Sequence, residues 1–374
     1  MVAETDEVID ALDAAVSPLL RALGQLSYIS RHMRPPRLAA LLEEAGEMST
    51  SVQLGIDALE SVDWPNELKS IAAQLTLAAS QTCEAFDQLL DAGHDPNGLM
   101  QAYYALRHAT RAQASLYPLA AMLPAVNRFF LDDTALKNES LVARLAAGAG
   151  RENTGVMHST SASGDTRGGF SLYVPETYDA ARAHPLIFSL HGGSGHGRLC
   201  LWSWLRAARS RGAILVSPSS RGSTWALQGP DIDTPNLVSM LDYVRGRWNV
   251  DEKHMLMTGM SDGGTFTYIS GLQAGQPFTH LAPVAASFHP MMLEFFDADR
   301  IKNLPIHITH GALDWMFPAV SGRNMALSLE AFGAKVIYRE IADLSHTYPD
   351  ASENAQVMDW FLGLDPIRMN HPDQ

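Results

Sequence analysis

The sequence predicts an α/β protein, a mostly parallel sheet covered by helices, preceded by an all-α domain. Three observations carry this reading. Before residue 150 the chain is rich in alanine and leucine, with β-branched runs nearly absent. After residue 155 short apolar runs alternate with helix-length segments, the spacing of a parallel sheet covered on both faces. Within that second part, Gly259-Met260-Ser261-Asp262-Gly263 stands between a strand-like run and a helix-like run.

The first region reads as five to seven helices packed as a bundle. Val8 to Val16 mixes apolar and acidic residues at helix spacing, and Leu19, Leu20, Leu23 and Leu26 extend the apolar face. Pro35-Pro36 breaks the chain, with a new helix opening at Arg37. Asp63-Trp64-Pro65 closes a segment, and residues 67–90 run without proline or glycine. Asp95-Pro96-Asn97-Gly98 is a turn signal. Further helices are expected over 99–116, 120–130 and 134–147. The small, polar stretch Ala147 to Gly155 reads as the linker, so the expected domains are 1–150 and 151–374.

The second region opens with a hairpin, Val156–Ser159 and Phe170–Val174. Strands then follow at 185–190, 213–216, 255–257, 280–285, 306–309 and 336–338. Helices are expected at 202–211, at 235–248 with Asp233 or Thr234 as N-cap, and at 353–362.

Composition narrows the function classes. With 374 residues, 46% of them hydrophobic, there is material for more than one domain and a large core. A net charge of -14 argues against nucleic acid and anionic membranes as partners. The first 150 residues hold 19 acidic side chains against 10 basic ones, which fits solvated helix faces. Cys83 and Cys200, far apart in sequence, make no disulfide framework; a single bridge between them stays open, and the simpler reading is two buried thiols of a reducing compartment. The acidic start, Met1 to Glu7, lacks the basic and apolar segments of a secretion signal, and no apolar run reaches membrane-spanning length. The expectation is a cytoplasmic protein. Without HxH, HExxH or CxxC spacing, no metal site is expected.

The motif at 259–263 is G-x-S-x-G, which thrusts a serine hydroxyl out of a sharp strand-to-helix turn. A hydroxyl is a poor nucleophile until a base takes its proton and a third group orients the base. Asp314, past the strand 305–309, is the candidate acid, and His346, past the strand 336–341, is the candidate base. Asp314 follows Ser261 by 53 residues and His346 follows Asp314 by 32, each room for a helix and a strand. Asp343 is the rival acid, but it shares a loop with His346. His307 and His310 read as hydrogen-bonding residues of the structure. Two N–H donors must hold a developing oxyanion. Asp262, at the helix start, supplies one; Gly193, in His191-Gly192-Gly193-Ser194-Gly195, supplies the other, with Ser194 as the second choice. Trp225, Trp315 and His289 are the expected substrate-pocket residues.

With these pieces in place the chain resembles the α/β-hydrolase superfamily, within it the carboxylesterase-like group of polyhydroxybutyrate depolymerases and feruloyl esterases. The matching pieces are Leu190-His191-Gly192-Gly193, Gly259 to Gly264, His310-Gly311-Ala312-Leu313-Asp314 with Pro318, and Ser345-His346. The resemblance covers about residues 155–365. It implies hydrolysis of a small-molecule ester through an acyl-enzyme, with no cofactor. The helical region lies outside it and is expected to act as a cap, a homo-oligomerisation element or a partner-binding module. Two other readings stay open: a peptidase or amidase of the oligopeptidase type on the same three residues, and a helical interaction protein with a hydrolase-like scaffold.

Overall fold

A computed structural model describes residues 2–45, 48–95, 98–159, 166–287, 292 and 296–364. The chain divides into two compact units, Met1–Phe130 and Leu131–Gln374.

The first unit is helical. Its elements are α1 (Val2–His32), α2 (Leu38–Ala45), α3 (Met48–Glu60), α4 (Lys69–Gly93), α5 (Leu99–Ala105), α6 (Arg107–Leu116) and α7 (Pro124–Phe129), with 3₁₀ turns at Pro35–Arg37 and Tyr117–Ala121. On α1 the buried residues Leu19, Ala22, Leu23, Leu26 and Ile29 recur every three or four positions, so one stripe faces the bundle. Small residues let the helices approach closely. A Cβ on Gly55 of α3 would come within 2.9 Å of the Ala15 Cα on α1. No helix among the described residues is long and apolar enough to cross a membrane.

The second unit begins with α8 (Asp133–Leu136) and α9 (Glu139–Ala147). The single helix expected over 134–147 is two because each piece has its own cap. Asp132 accepts from the N–H groups of Thr134 and Ala135, and Asn138 accepts from that of Leu141. Asp132 also pairs with Arg211 at 2.7 Å, and its N–H donates to the Ser210 hydroxyl. These bonds tie α8 to the helix carrying Ser210. The division between units therefore falls at 130, ahead of the glycine-rich stretch that reads as a linker.

Eight strands form one sheet: β1 (Gly155–His158), β2 (Phe170–Val174), β3 (His184–Leu190), β4 (Ile214–Pro218), β5 (Val250–Met260), β6 (His280–Val284), β7 (Pro305–Gly311) and β8 (Lys335–Ile341). Their order is β1-β2-β4-β3-β5-β6-β7-β8. Among the described strands, β2 pairs antiparallel with both β1 and β4, and the pairs from β4 to β8 are parallel. The remaining helices are α10 (Gly197–Arg211), α11 (Thr234–Arg245), α12 (Asp262–Gly271), α13 (Ala298–Ile301), α14 (Ala319–Ala331) and α15 (Ala351–Phe361). Leu186 to Leu190 are all buried, so the central strand β3 is covered on both faces. Parallel pairing brings the ends of β3, β4, β5, β6, β7 and β8 to one edge of the sheet, where loops carry chemistry in open α/β folds.

Candidate active site

The strand β5 ends at Met260 and α12 begins at Asp262, leaving Ser261 alone to turn the chain. Its backbone sits at φ 58°, ψ −120°, a region a side chain rarely occupies. The turn is locked by the Ser261 N–H donating to the Val284 carbonyl at 3.0 Å, and by the Thr265 N–H donating to the Ser261 carbonyl at 2.9 Å. The flanking glycines are sterically required. A Cβ on Gly259 would meet the Gly263 carbonyl at 2.4 Å, and one on Gly263 would meet the Leu190 carbonyl oxygen at 2.4 Å.

Two loops bring the other side chains to this hydroxyl. His346, after β8, places Nε2 3.1 Å from Ser261 Oγ and Nδ1 2.9 Å from Asp314 Oδ2. The carboxylate at 2.9 Å from that imidazole's Nδ1 is the one following β7. The two loops meet at Gly311, where a Cβ would lie 2.2 Å from the Leu344 carbonyl oxygen. Asp314 Oδ1 accepts from the N–H groups of Met316 and Phe317 at 2.9 and 2.7 Å. Burial works against an ionised carboxylate here. Hydrogen bonds from His310, His346 and the Phe317 N–H outweigh it and hold the Asp314 carboxyl well below its usual range. Ser261 and His346 are themselves 5% and 1% exposed, a dry setting in which such bonds strengthen.

The loop after β3 lies over the serine. A Cβ on Gly192 would be 3.5 Å from that of Ser261, and one on Gly193 would be 2.8 Å from Asp262 Oδ2. Asp262 is the first residue of α12, where helix N–H groups lack intrahelical partners and the dipole favours negative charge. Its carboxylate accepts from the Thr224 hydroxyl at 2.6 Å.

The expected pocket residues divide. Trp225 is corrected: it is 3% exposed, stacks on Phe266 with ring centroids 5.2 Å apart, and donates its indole N–H to the His191 carbonyl. It is core packing beneath the β3 loop and not a pocket wall, because its ring is enclosed and its one polar atom is spent on backbone. Trp315 does stand at the site, 6.2 Å from the His346 ring, joined by Phe317 at 5.3 Å. His289 lies outside the described residues. His307 is wholly buried against Thr309 and Trp360, away from this group, and burial lowers it to about 4.

His191 is a supporting residue that sequence reasoning missed. Its Nε2 accepts from the Ser220 N–H at 3.1 Å, and its Nδ1 lies 2.7 Å from the Gly192 carbonyl. It braces the glycine loop from below. The signal was a histidine directly ahead of two glycines at the end of a buried strand.

This strand order, with a strained serine after β5, an aspartate after β7 and a histidine after β8, is the α/β-hydrolase fold. No protein-family model matches the chain. It is similar to a probable feruloyl esterase C of Aspergillus terreus, 30% identical over 166 residues, covering 42% of this chain and 58% of the other. It is similar to a bifunctional acetylxylan esterase/xylanase of Neocallimastix patriciarum, 29% identical over 153 residues, covering 39% and 22%. A dipeptidyl-peptidase 5 of Aspergillus fumigatus is 24% identical over 246 residues, covering 53% and 34%. The chain thus spans less than two thirds of the length of each of these relatives.

Proposed function

We propose that the protein hydrolyses carboxylic esters through an acyl-enzyme formed on Ser261. The observation that carries this reading is the continuous relay from Ser261 Oγ to His346 Nε2 and from His346 Nδ1 to Asp314, at 3.1 and 2.9 Å. His346 takes the serine proton as Oγ attacks the ester carbonyl, and Asp314 stabilises the imidazolium that forms. The N–H groups of Gly193 and Asp262 hold the oxyanion. His346 then protonates the leaving alcohol, and water repeats the sequence on the acyl-enzyme. The serine's strained backbone sets its Cβ at the tip of the turn, toward His346. Similarity to a feruloyl esterase and an acetylxylan esterase supports an ester as substrate. Trp315 and Phe317, beside the imidazole, suit an apolar or aryl group of that ester.

The test is turnover of p-nitrophenyl esters of graded acyl length, with acetyl and feruloyl esters added, by the wild type and by Ser261→Ala. The reading expects hydrolysis by the wild type alone; undiminished hydrolysis by Ser261→Ala excludes that serine. A second reading, cleavage of amides on the same residues, is favoured by the similarity to a dipeptidyl-peptidase. Matched ester and amide substrates decide between them.

A further inference from the structure

Asp314 sits on a loop, its Oδ1 held by the N–H groups of Met316 and Phe317, so its direction depends on how the turn carrying those groups is fixed. A second histidine supplies the fixing. His310, next to last in β7, has a fully buried side chain. Its Nε2 lies 2.9 Å from the Phe317 carbonyl oxygen and 3.4 Å from Asp314 Oδ2. A carbonyl can only accept, so Nε2 carries the proton. On the other side, Nδ1 is buried with no hydrogen-bond partner, against Gly322, where a Cβ would come within 2.9 Å. A proton on Nδ1 would be a buried N–H with nothing to receive it. The ring is thus confined to one tautomer, pointing its donor at the acid loop.

The bonds form a closed circuit. Asp314 Oδ1 takes the N–H groups of Met316 and Phe317, and the carbonyl of that same Phe317 is tied back to the strand end by His310. Oδ2 meets His346 Nδ1 at 2.9 Å, with His310 Nε2 behind it at 3.4 Å. We propose that His310 is a positioning residue: it closes the turn from Asp314 to Phe317 against the end of β7 and so sets the direction in which Asp314 meets His346. This rests on the ester-hydrolase reading above.

Two substitutions test it on the full chain. His310→Met fills the space with an unbranched side chain and no donor; His310→Gln keeps an amide N–H near the place of Nε2. With p-nitrophenyl acetate, His310→Met should lose on the order of 10²-fold in kcat at little change in KM, the size expected of a misaligned catalytic group. The acid limb of its kcat/KM profile should move to lower pH, because the imidazolium loses part of its partner. The far-downfield proton of His346 Nδ1–H should weaken or vanish in the proton NMR spectrum. His310→Gln should recover most of the rate and the limb. In the wild type, nitrogen-15 NMR should find His310 in the Nε2–H form.

A folded His310→Met with wild-type kcat and acid limb overturns the proposal, as does equal loss in His310→Gln. Should His310→Met fail to fold, an Nδ1–H tautomer in the wild type still overturns it. Fluorophosphonate labelling of the wild type separates the two levels. Absent labelling at Ser261 sinks the ester-hydrolase reading, whereas normal labelling with an unaffected His310→Met sinks this inference alone.

Discussion

The helical unit and the sheet unit bury polar groups in very different ways. Among the described residues, Met1–Phe130 buries two polar side chains, Thr82 and Asn127, whereas Leu131–Gln374 buries 25. Backbone strain follows the same division. Among the described residues, the non-glycine ones at positive φ are Asn153, Ser194, Ser261, Ala285 and Asn303, all in the sheet unit. Three of them, Ser194, Ser261 and Ala285, lie just past the carboxyl ends of β3, β5 and β6. Apolar packing gives the helical unit its order at little local cost. The sheet unit spends part of its stability on strained turns and dry hydrogen bonds, and it does so along the edge that carries the serine, the histidine and the aspartate.

Substitutions sharpen that contrast. The largest effect belongs to Ser261→Ala, expected to lower kcat for an aryl ester by on the order of 10⁵-fold or more while leaving the circular dichroism spectrum unchanged. Asp314→Asn comes next, with a loss of about 10⁴-fold, because the imidazole is then held in the wrong tautomer. Both are read by steady-state kinetics on purified protein.

Two glycine replacements, one in each unit, should have opposite signs. Gly263→Ala drives a Cβ to 2.4 Å from the Leu190 carbonyl oxygen and should cost about 3 kcal/mol in urea unfolding. Gly24→Ala, on an exposed position of α1 with nothing within 4 Å, should instead stabilise by about 0.5–1 kcal/mol through helix propensity. A destabilised Gly24→Ala would show that the helical unit hides a constraint absent from its geometry.

Acid should act on the sheet unit through two histidines. Burial lowers His280 and His307 to about 4, with the nearby His254 adding to the effect on the first and Arg339 on the second. An unfolded histidine titrates near its ordinary value of 6.5, so between that pH and about 4 the unfolded chain takes up protons that the folded chain refuses. Stability should be fully present above pH 6.5 and fall as the pH drops toward 4. Replacing His307 by Phe should flatten that fall in urea midpoints measured across the range; an unaltered slope would assign the acid sensitivity elsewhere.

The eight strands were legible because each contains a short apolar run, though β5 and β8 extend beyond theirs through charged residues, and the elbow because glycine at 259 and 263 answers a steric demand. Ser261, Asp314 and His346 could be picked from their places after β5, β7 and β8, since a parallel sheet delivers all such ends to one edge. What could not be read was decided by contacts distant in sequence. Trp225 reads as a pocket wall until Phe266 and His191 are seen to enclose it. Asp132 looks like an ordinary helix cap until Arg211 is found on its other oxygen and the unit boundary moves to 130. His310 reads as a hydrogen-bonding residue of the structure and no more, because its partner, the Phe317 carbonyl, has no signature in the sequence.

The central claim is that Ser261 is the nucleophile of this relay. The most direct measurement is mass spectrometry of the full chain after reaction with a fluorophosphonate, the adduct mapped by peptide. One adduct on the peptide containing Ser261, abolished in Ser261→Ala and slowed in Asp314→Asn, is the predicted result. Labelling that maps elsewhere, or that persists unchanged in Ser261→Ala, would contradict it.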